Sequence, residues 1–265
     1  MPMTLIDSHS HLDMLDDLDG ALTRAALAGV AQIVTIGVDL NSSRAVAELA
    51  HRLPGVYATV GLHPHDAAQA DDGYWAQMKV LAQESSAVAI GECGLDFYHA
   101  LSPRGIQRKA FAAQIQLALE LDLPLVVHDR EAHQDTIATL KDLDAGRVGG
   151  VLHCFSGDLD MARQVLDLGF HLGITGTITY KNAGALRELT RLVPAERLLL
   201  ETDCPYLSPL PYRGKPNQPA YLAHTNAGLA LAMSLSPEET ASLTTANTRR
   251  VYRLPAYQGL PGSQD

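Results

Sequence analysis

Six short apolar runs in this sequence are each followed by histidine or carboxylate side chains of the kind that bind metals. The runs are rich in Leu and β-branched residues and are flanked by Gly, Pro or polar residues, a pattern typical of strands buried on both faces. Burying a polar group without a partner costs roughly 2–7 kcal/mol, so a shared metal centre accounts for all of these groups together. The side chains are His9 and His11 after the first run, and then His63, Glu92, His128, His153 and Asp203 after later runs.

The number of these groups favours two metal ions over one. His9 and His11 are two residues apart, so an extended backbone directs both rings to one face. Alone, such a pair is equally typical of hydrogen-bonded polar histidines, but further ligand types after later runs favour a metal. Four imidazoles and two carboxylates exceed the three protein ligands of one catalytic metal. Two ions about 3.5–4 Å apart, sharing a carboxylate, can activate water and polarise a phosphoryl or carbonyl oxygen.

The order of the apolar runs predicts a single (β/α)₈ TIM barrel, an α/β fold, with the metal site at the C-terminal ends of the strands. Strand-like runs alternate with amphipathic helical stretches, and a parallel strand needs a crossover before the next. In such barrels the active site lies where the strands end. The predicted strands are residues 4–8, 31–38, 56–60, 88–91, 125–127, 150–152, 171–174 and 198–201. We predict one domain over residues 1–254, followed by a flexible tail at 255–265.

Helix signals occupy the intervening stretches. Asn41 is the predicted N-cap of a helix over 42–52, and Ser236 with Pro237 begins a helix over 237–252. Ser102 and Pro103 start a long helix that runs to residue 121. Shorter helices are predicted at 158–168, 183–192 and 220–234.

Composition restricts the partners. The 265-residue chain has a formal net charge of −10, and no basic stripe of the kind that coats a long duplex is visible. Any contact with DNA ends or other nucleic acid is therefore expected to be local. No apolar stretch is long enough for a membrane span, and the N-terminus lacks a signal-peptide pattern, so we expect a cytoplasmic protein without a membrane partner. Protein partners are not indicated. The three cysteines predict no disulfide framework.

Several segments together resemble the TatD family of metal-dependent deoxyribonucleases, within the amidohydrolase-type barrels. The resemblance extends over nearly the whole chain. The segments are Asp7-Ser8-His9-Ser10-His11-Leu12, Gly61-Leu62-His63-Pro64-His65, Gly91-Glu92-Cys93-Gly94-Leu95-Asp96, His128-Asp129-Arg130, His153-Cys154-Phe155-Ser156-Gly157, Thr179-Tyr180-Lys181-Asn182-Ala183 and Leu199 to Leu207. Two positions depart from the family pattern: Gln218, where Glu is frequent, and Tyr252, where Phe is usual.

The resemblance implies roles for the metal-type residues. His9, His11 and Asp203 would hold one divalent ion, His128 and His153 the other, with Glu92 as the bridge. Asp203 would also orient or deprotonate the attacking water. His63 would contact a substrate phosphate, although a histidine capping the turn before Pro64 has the same pattern. Arg213 would clamp a phosphate or remain a solvated loop charge. Asp96 and Arg130 would either orient ligands or form an ordinary ion pair.

The function that the resemblance implies is a 3′-5′ exodeoxyribonuclease acting on single-stranded ends. The alternative is an ester or amide hydrolase such as a D-aminoacyl-tRNA deacylase, because a carbonyl can accept the same nucleophile. A non-catalytic binding protein is a second alternative, which the complete set of six ligand types argues against. Carboxylates and water suit Mg²⁺ or Mn²⁺, and the imidazoles also suit Zn²⁺.

Overall fold

The fold is a barrel of eight parallel strands. The computed structural model describes residues 3–256 and 259–260. Within them the strands pair in chain order from the first to the eighth. The strands are β1 (Leu5–Ser10), β2 (Val30–Thr35), β3 (Val56–Val60), β4 (Ala89–Asp96), β5 (Leu125–Arg130), β6 (Gly150–Leu152), β7 (Phe170–Ile174) and β8 (Leu198–Leu200). The predicted α/β TIM barrel is confirmed.

Helices follow the strands and form the outer layer. In the described part of the chain they are α1 (Leu18–Leu27), α2 (Leu40–Arg52), α3 (Asp72–Glu84), α4 (Arg104–Leu121), α5 (His133–Asp142), α6 (Leu159–Asp167), α7 (Gly184–Leu192), α8 (Leu222–Met233) and α9 (Pro237–Tyr252). No helix among these residues is both long and apolar enough to cross a bilayer.

The barrel closes between β1 and the segment that follows β8. The backbone N–H of His11 donates to the carbonyl of Cys204 over 2.9 Å, and the N–H of Asp203 donates to the carbonyl of His9 over 2.9 Å. These bonds place two histidines and a carboxylate on adjacent backbone at the C-terminal ends of the strands. That end of the barrel is called the mouth below, and the opposite end is called the floor.

Two strands are irregular at the positions where candidate ligands occur. The pairing register shifts between Asp7 and Ser10 in β1 and between Ile90 and Cys93 in β4. A local irregularity in a strand redirects side chains and is common beside active sites. His9 and Glu92 lie within these stretches, where the regular alternation of side chains between the two faces of the strand is interrupted. Both side chains reach the mouth.

Some predicted boundaries were wrong. The N-cap of α2 is Asp39 rather than Asn41, because the extended backbone of Asp39 lets its carboxylate accept from the Ser42 N–H over 2.7 Å. Strands β4 and β5 continue five and three residues beyond the predicted runs, because backbone pairing between them extends to Asp96 and Arg130. The α9 bounds are as predicted, with Ser236 and Glu239 forming a capping box.

The end of α9 reaches the barrel interior. The hydroxyl of Tyr252, which is buried among interior residues such as Val34 and Leu199, donates to the backbone carbonyl of Ser8 over 3.2 Å. This bond gives a structural account of the tyrosine that departs from the family pattern. In the predicted tail, Leu260 is buried, whereas residues 257, 258 and 261–265 lie outside the described residues.

Candidate metal centre

Six predicted ligand residues come together at the mouth. His9 lies in β1 with His11 just after it, Glu92 lies within β4, and His128 lies within β5. His153 follows β6 directly, and Asp203 follows β8 after two intervening residues. Glu92 therefore projects from the middle of a long strand instead of following its end. His9 and Asp203 are more than 190 residues apart in the sequence, so only closure of the barrel brings the cluster together.

Glu92 stands between two groups of histidines. Its Oε1 atom lies 2.9 Å from Nδ1 of His128 and 3.0 Å from Nε2 of His153. Its Oε2 atom lies 3.4 Å from Nε2 of His9 and 3.9 Å from Nε2 of His11. The two oxygens of one buried carboxylate thus face different ligand sets.

Asp203 completes the group that Oε2 of Glu92 faces. Its Oδ1 atom lies 3.4 Å from Nε2 of His11 and 3.6 Å from Nε2 of His9. The backbone of Asp203 has a φ of 56°, in the left-handed region that ordinary residues rarely adopt. Such strain persists where surrounding structure enforces it and is concentrated at functional sites. Here the backbone bond to His9 holds the strained residue in place.

The histidines keep both carboxylates ionised. Burial raises the pKa of Glu92, but the charge of His153 and the hydrogen bonds from His128 and His153 outweigh it and hold the pKa well below its usual value. Burial also raises the pKa of Asp203, and the hydrogen bond from His11 and the charges of His153, His9 and His11 bring it below the usual value. Two buried anions surrounded by imidazoles form a site that suits cations.

The unpaired atoms of the cluster fit bound metal. Among the described residues, neither ring nitrogen of His9 has a hydrogen-bond partner, although this side chain is fully buried. A buried polar atom without a partner is unfavourable unless another group satisfies it. Nε2 of His9 faces both Glu92 and Asp203, so a cation held among them would occupy its lone pair. The donor set of imidazole nitrogens and carboxylate oxygens is one that divalent metals accept.

His63 approaches the cluster in a fixed tautomer. The backbone N–H of His65 donates to Nδ1 of His63 over 3.2 Å, so the sequence interpretation of a turn-capping histidine is correct. Burial lowers the pKa of His63 to about 3, so the ring is neutral and Nε2 carries its hydrogen. Nε2 lies 3.6 Å from Oε1 of Glu92. His63 forms a metal-type group with Glu92 and His128. While its Nδ1 accepts from the His65 N–H, however, the neutral ring donates a hydrogen bond from Nε2 into the mouth.

Two carboxylates lie behind cluster histidines: Asp96, for which this was one of two predicted roles, and Glu201, for which no role was predicted. Oε1 of the fully buried Glu201 lies 3.6 Å from Nδ1 of His153, and Oδ2 of Asp96 lies 3.3 Å from Nε2 of His128. Gly173 makes room for Glu201, because a Cβ there would lie 2.3 Å from Oε2. Carboxylates behind metal-binding histidines fix ring orientation. Glu201 directly follows β8, and no signal in its own segment predicts a contact with His153.

Arginines of the mouth stack on tyrosines. Arg130 forms no ion pair with Asp96 among the described residues, and its guanidinium instead lies 4.9 Å from the ring centre of Tyr98. The exposed guanidinium of Arg213 lies 4.4 Å from the ring centre of Tyr180. Both cations lie over an aromatic ring and have no carboxylate partner in the described structure, so they are available to an anion.

Comparison with known proteins agrees with the geometry. A family described as TatD related DNase matches residues 6–253. The chain is 38% identical to the uncharacterized metal-dependent hydrolase YabD of Bacillus subtilis over 94% of this chain and 99% of that protein. It is 38% identical to the 3′-5′ ssDNA/RNA exonuclease TatD of Salmonella typhimurium over 90% and 94% of the two chains. The crystal structure of YjjV, a TatD homolog from Escherichia coli K12, is similar with a TM-score of 0.90 and 33% identity, covering 96% of this chain and all of that one.

Proposed function

The chain belongs to the TatD family of metal-dependent hydrolases, and from this we propose that it removes nucleotides from the 3′ ends of single-stranded DNA with two divalent ions. The position of Glu92 is the observation that carries the proposal. His9, His11 and Asp203 would hold one ion, and His128 and His153 the other. Glu92 would bridge them, because its two oxygens already face the two sets. Carboxylates favour Mg²⁺ or Mn²⁺, and the imidazoles also suit Zn²⁺.

The reaction class follows from what the site holds. Divalent ions in such a site activate water and neutralise charge on the phosphate. Asp203 is ionised and faces the mouth, so it can orient the water and accept its proton. His63 can donate from Nε2 to a non-bridging phosphate oxygen without adding a charge. Arg213 would hold the phosphate of a neighbouring nucleotide from the rim.

Single-stranded DNA is the substrate that the surroundings suit best. Relatives from Salmonella typhimurium and Citrobacter koseri carry the name 3′-5′ ssDNA/RNA exonuclease. Exposed aromatic rings at the mouth, Tyr98 and Tyr206, can stack on unpaired bases. Tyr206 also lies edge-on to His11, with 6.1 Å between ring centres, so a stacked base would be adjacent to the cluster. The net charge of −10 fits local contact with strand ends.

Labelled oligonucleotides test this function. A 5′-labelled single strand should shorten progressively in Mg²⁺ or Mn²⁺, and a 3′-labelled strand should release labelled mononucleotide at once. The control Asp135→Asn removes an exposed carboxylate of α5 and should behave as the wild type, whereas Asp203→Asn should not. A parallel reaction with D-aminoacyl-tRNA decides between electrophiles. Rapid deacylation without release of nucleotides would replace the nuclease assignment with the deacylase.

A further inference from the structure

A second cluster of metal-type side chains lies at the rim of the mouth. Nε2 of His65, in the short 3₁₀ turn Pro64–Gln69, lies 2.8 Å from Oδ2 of Asp96. Nδ1 of His99, three residues after the end of β4, lies 2.9 Å from the same oxygen. We propose that His65, Asp96 and His99 form a separate binding site for a divalent transition-metal ion.

The hydrogen bonds around Asp96 require more acceptor capacity than one oxygen has. Its side chain is almost completely buried, and Oδ1 accepts from the backbone N–H of His99 over 2.8 Å. Oδ2 is left with three imidazole nitrogens, from His65, His99 and His128, at 2.8, 2.9 and 3.3 Å. A carboxylate oxygen offers two lone-pair sites, so it cannot accept good hydrogen bonds from all three rings.

His128 donates a hydrogen bond to one of the two lone pairs of Asp96 Oδ2. Nδ1 of His128 faces Glu92 at 2.9 Å and is the atom available to the main cluster, so Nε2 carries a hydrogen and donates to Asp96. The second lone pair is then shared by His65 and His99. A cation resolves this competition, because it binds that lone pair together with the unprotonated nitrogens of both rings.

The donor set indicates the class of ion. Two imidazoles and one carboxylate are the protein ligands of several open zinc sites, in which water completes the coordination. Imidazole-rich sites favour Zn²⁺ and its transition-metal neighbours over Mg²⁺. The side chains of His65 and His99 are 28% and 46% exposed, so solvent can supply further ligands. The ring of His128 separates this rim site from the main cluster.

A nearby histidine pair provides a matched control. Nδ1 of His133 lies 2.7 Å from Oδ1 of Asp129, and the His133 side chain is 39% exposed, much like His99. Among the described residues, no third metal-type side chain completes this pair. It therefore represents a histidine–carboxylate contact of similar distance and exposure that has no third ligand.

Counting bound zinc tests the rim site. The full chain would be stripped with chelator, loaded with Zn²⁺, and examined by native mass spectrometry and elemental analysis. We expect His99→Ala to bind one ion fewer than the wild type, His99→Asn and His65→Asn to do the same, and His133→Ala to match the wild type. Melting temperatures would verify that each variant is folded.

A cobalt readout separates this site from the main cluster. Co²⁺ absorption in the visible range should lose one set of bands in His99→Ala and a different set in Glu92→Gln. His99→Ala binding as many ions as the wild type, or showing an identical Co²⁺ spectrum, would overturn the rim site. Loss of ions in Glu92→Gln bears only on the two-ion centre, so the failure of either proposal can be recognised.

Discussion

Two buried histidines on neighbouring strands show how different the two ends of the barrel are. His153 at the mouth and His171 at the floor are both 7% exposed. Burial lowers the pKa of each, but Glu92 and Glu201 outweigh it for His153 and raise its pKa well above the usual value. At His171 burial is joined by the charges of Arg197 and Arg250, and the pKa falls to about 4.

The difference shows that the position along a strand, more than burial, determines what a histidine can do in this fold. Parallel strands bring their C-terminal residues together, so carboxylates separated by more than a hundred residues surround His153. His171 occupies the second position of β7 and meets cations of the outer layer instead. The mouth therefore surrounds a buried ring with carboxylates, whereas the floor keeps His171 neutral over most of the pH range.

The largest expected effect comes from removing the central anion of the mouth. Glu92→Gln should retain the fold and lose bound metal and activity together, because a neutral amide is a weak bridge between cations. Bound metal stabilises the transition state by several kcal/mol, so we expect the rate to fall on the order of 10³-fold or more. Metal content and rate would be measured on the same sample. A variant with full metal and near-normal rate would show that Glu92 has another role.

Asp203→Asn should affect the chemical step more than binding. The amide can still occupy the position but cannot accept a proton, so kcat should fall about 10²–10⁴-fold while KM for single-stranded DNA changes little. Steady-state kinetics with a labelled oligonucleotide would measure both quantities. A rise in KM with an unchanged kcat would assign Asp203 to substrate binding.

At the floor, we expect a change at His171 to affect the free energy of unfolding and to leave activity unchanged. The unfolded chain binds a proton at His171 below about pH 6.5, whereas the folded chain does so only near pH 4. The free energy of unfolding should therefore fall as the pH drops from about 6.5 to 4, by up to about 3 kcal/mol from this residue. Urea unfolding of His171→Gln across this range should give a flatter profile than the wild type. Equal slopes would mean that His171 takes up its proton over the same pH range in the folded and the unfolded chain.

The smallest effect concerns the arginine at the rim. The logarithm of affinity for single strands falls by about 0.7 per neutralised phosphate per unit of log salt, and we expect only a few such contacts. Arg213→Ala should reduce the magnitude of that slope by about 0.7, the value for one phosphate, since the guanidinium over Tyr180 is placed to meet a phosphate. Titrations at several salt concentrations would measure it. A wild-type slope corresponding to eight or more phosphates would indicate an extended binding track.

The sequence predicted the eight strands and the six residues that converge, because apolar runs mark buried strands and strand ends meet in a barrel. It did not predict that β4 continues through Glu92 to Asp96. Polar residues there break the apolar pattern, while backbone pairing with β5 continues. The register shifts at His9 and Glu92 also leave no local signal, since they depend on how neighbouring strands pair.

The partners of ligand histidines were the least predictable part of the site. His99 follows no apolar run, so nothing in the sequence pattern predicts its contact with the buried Asp96. Glu201 reaches His153 only because residue 173, on another strand, lacks a side chain. Such contacts depend on pairs of residues distant in sequence, which spacing within one chain does not reveal.

The hydrogen bond from Tyr252 to Ser8 has a consequence for how the protein is made. Its two residues are 244 positions apart, so at about 5–20 residues per second the ribosome needs roughly 12–50 s to make the second after the first. Until Asp203 is synthesised, β1 and His11 lack their pairing with the segment that follows β8, and until Tyr252 is synthesised they also lack this bond. The histidines synthesised early therefore wait for the segments made late, and the complete set of metal-type side chains exists only after Asp203 has been synthesised.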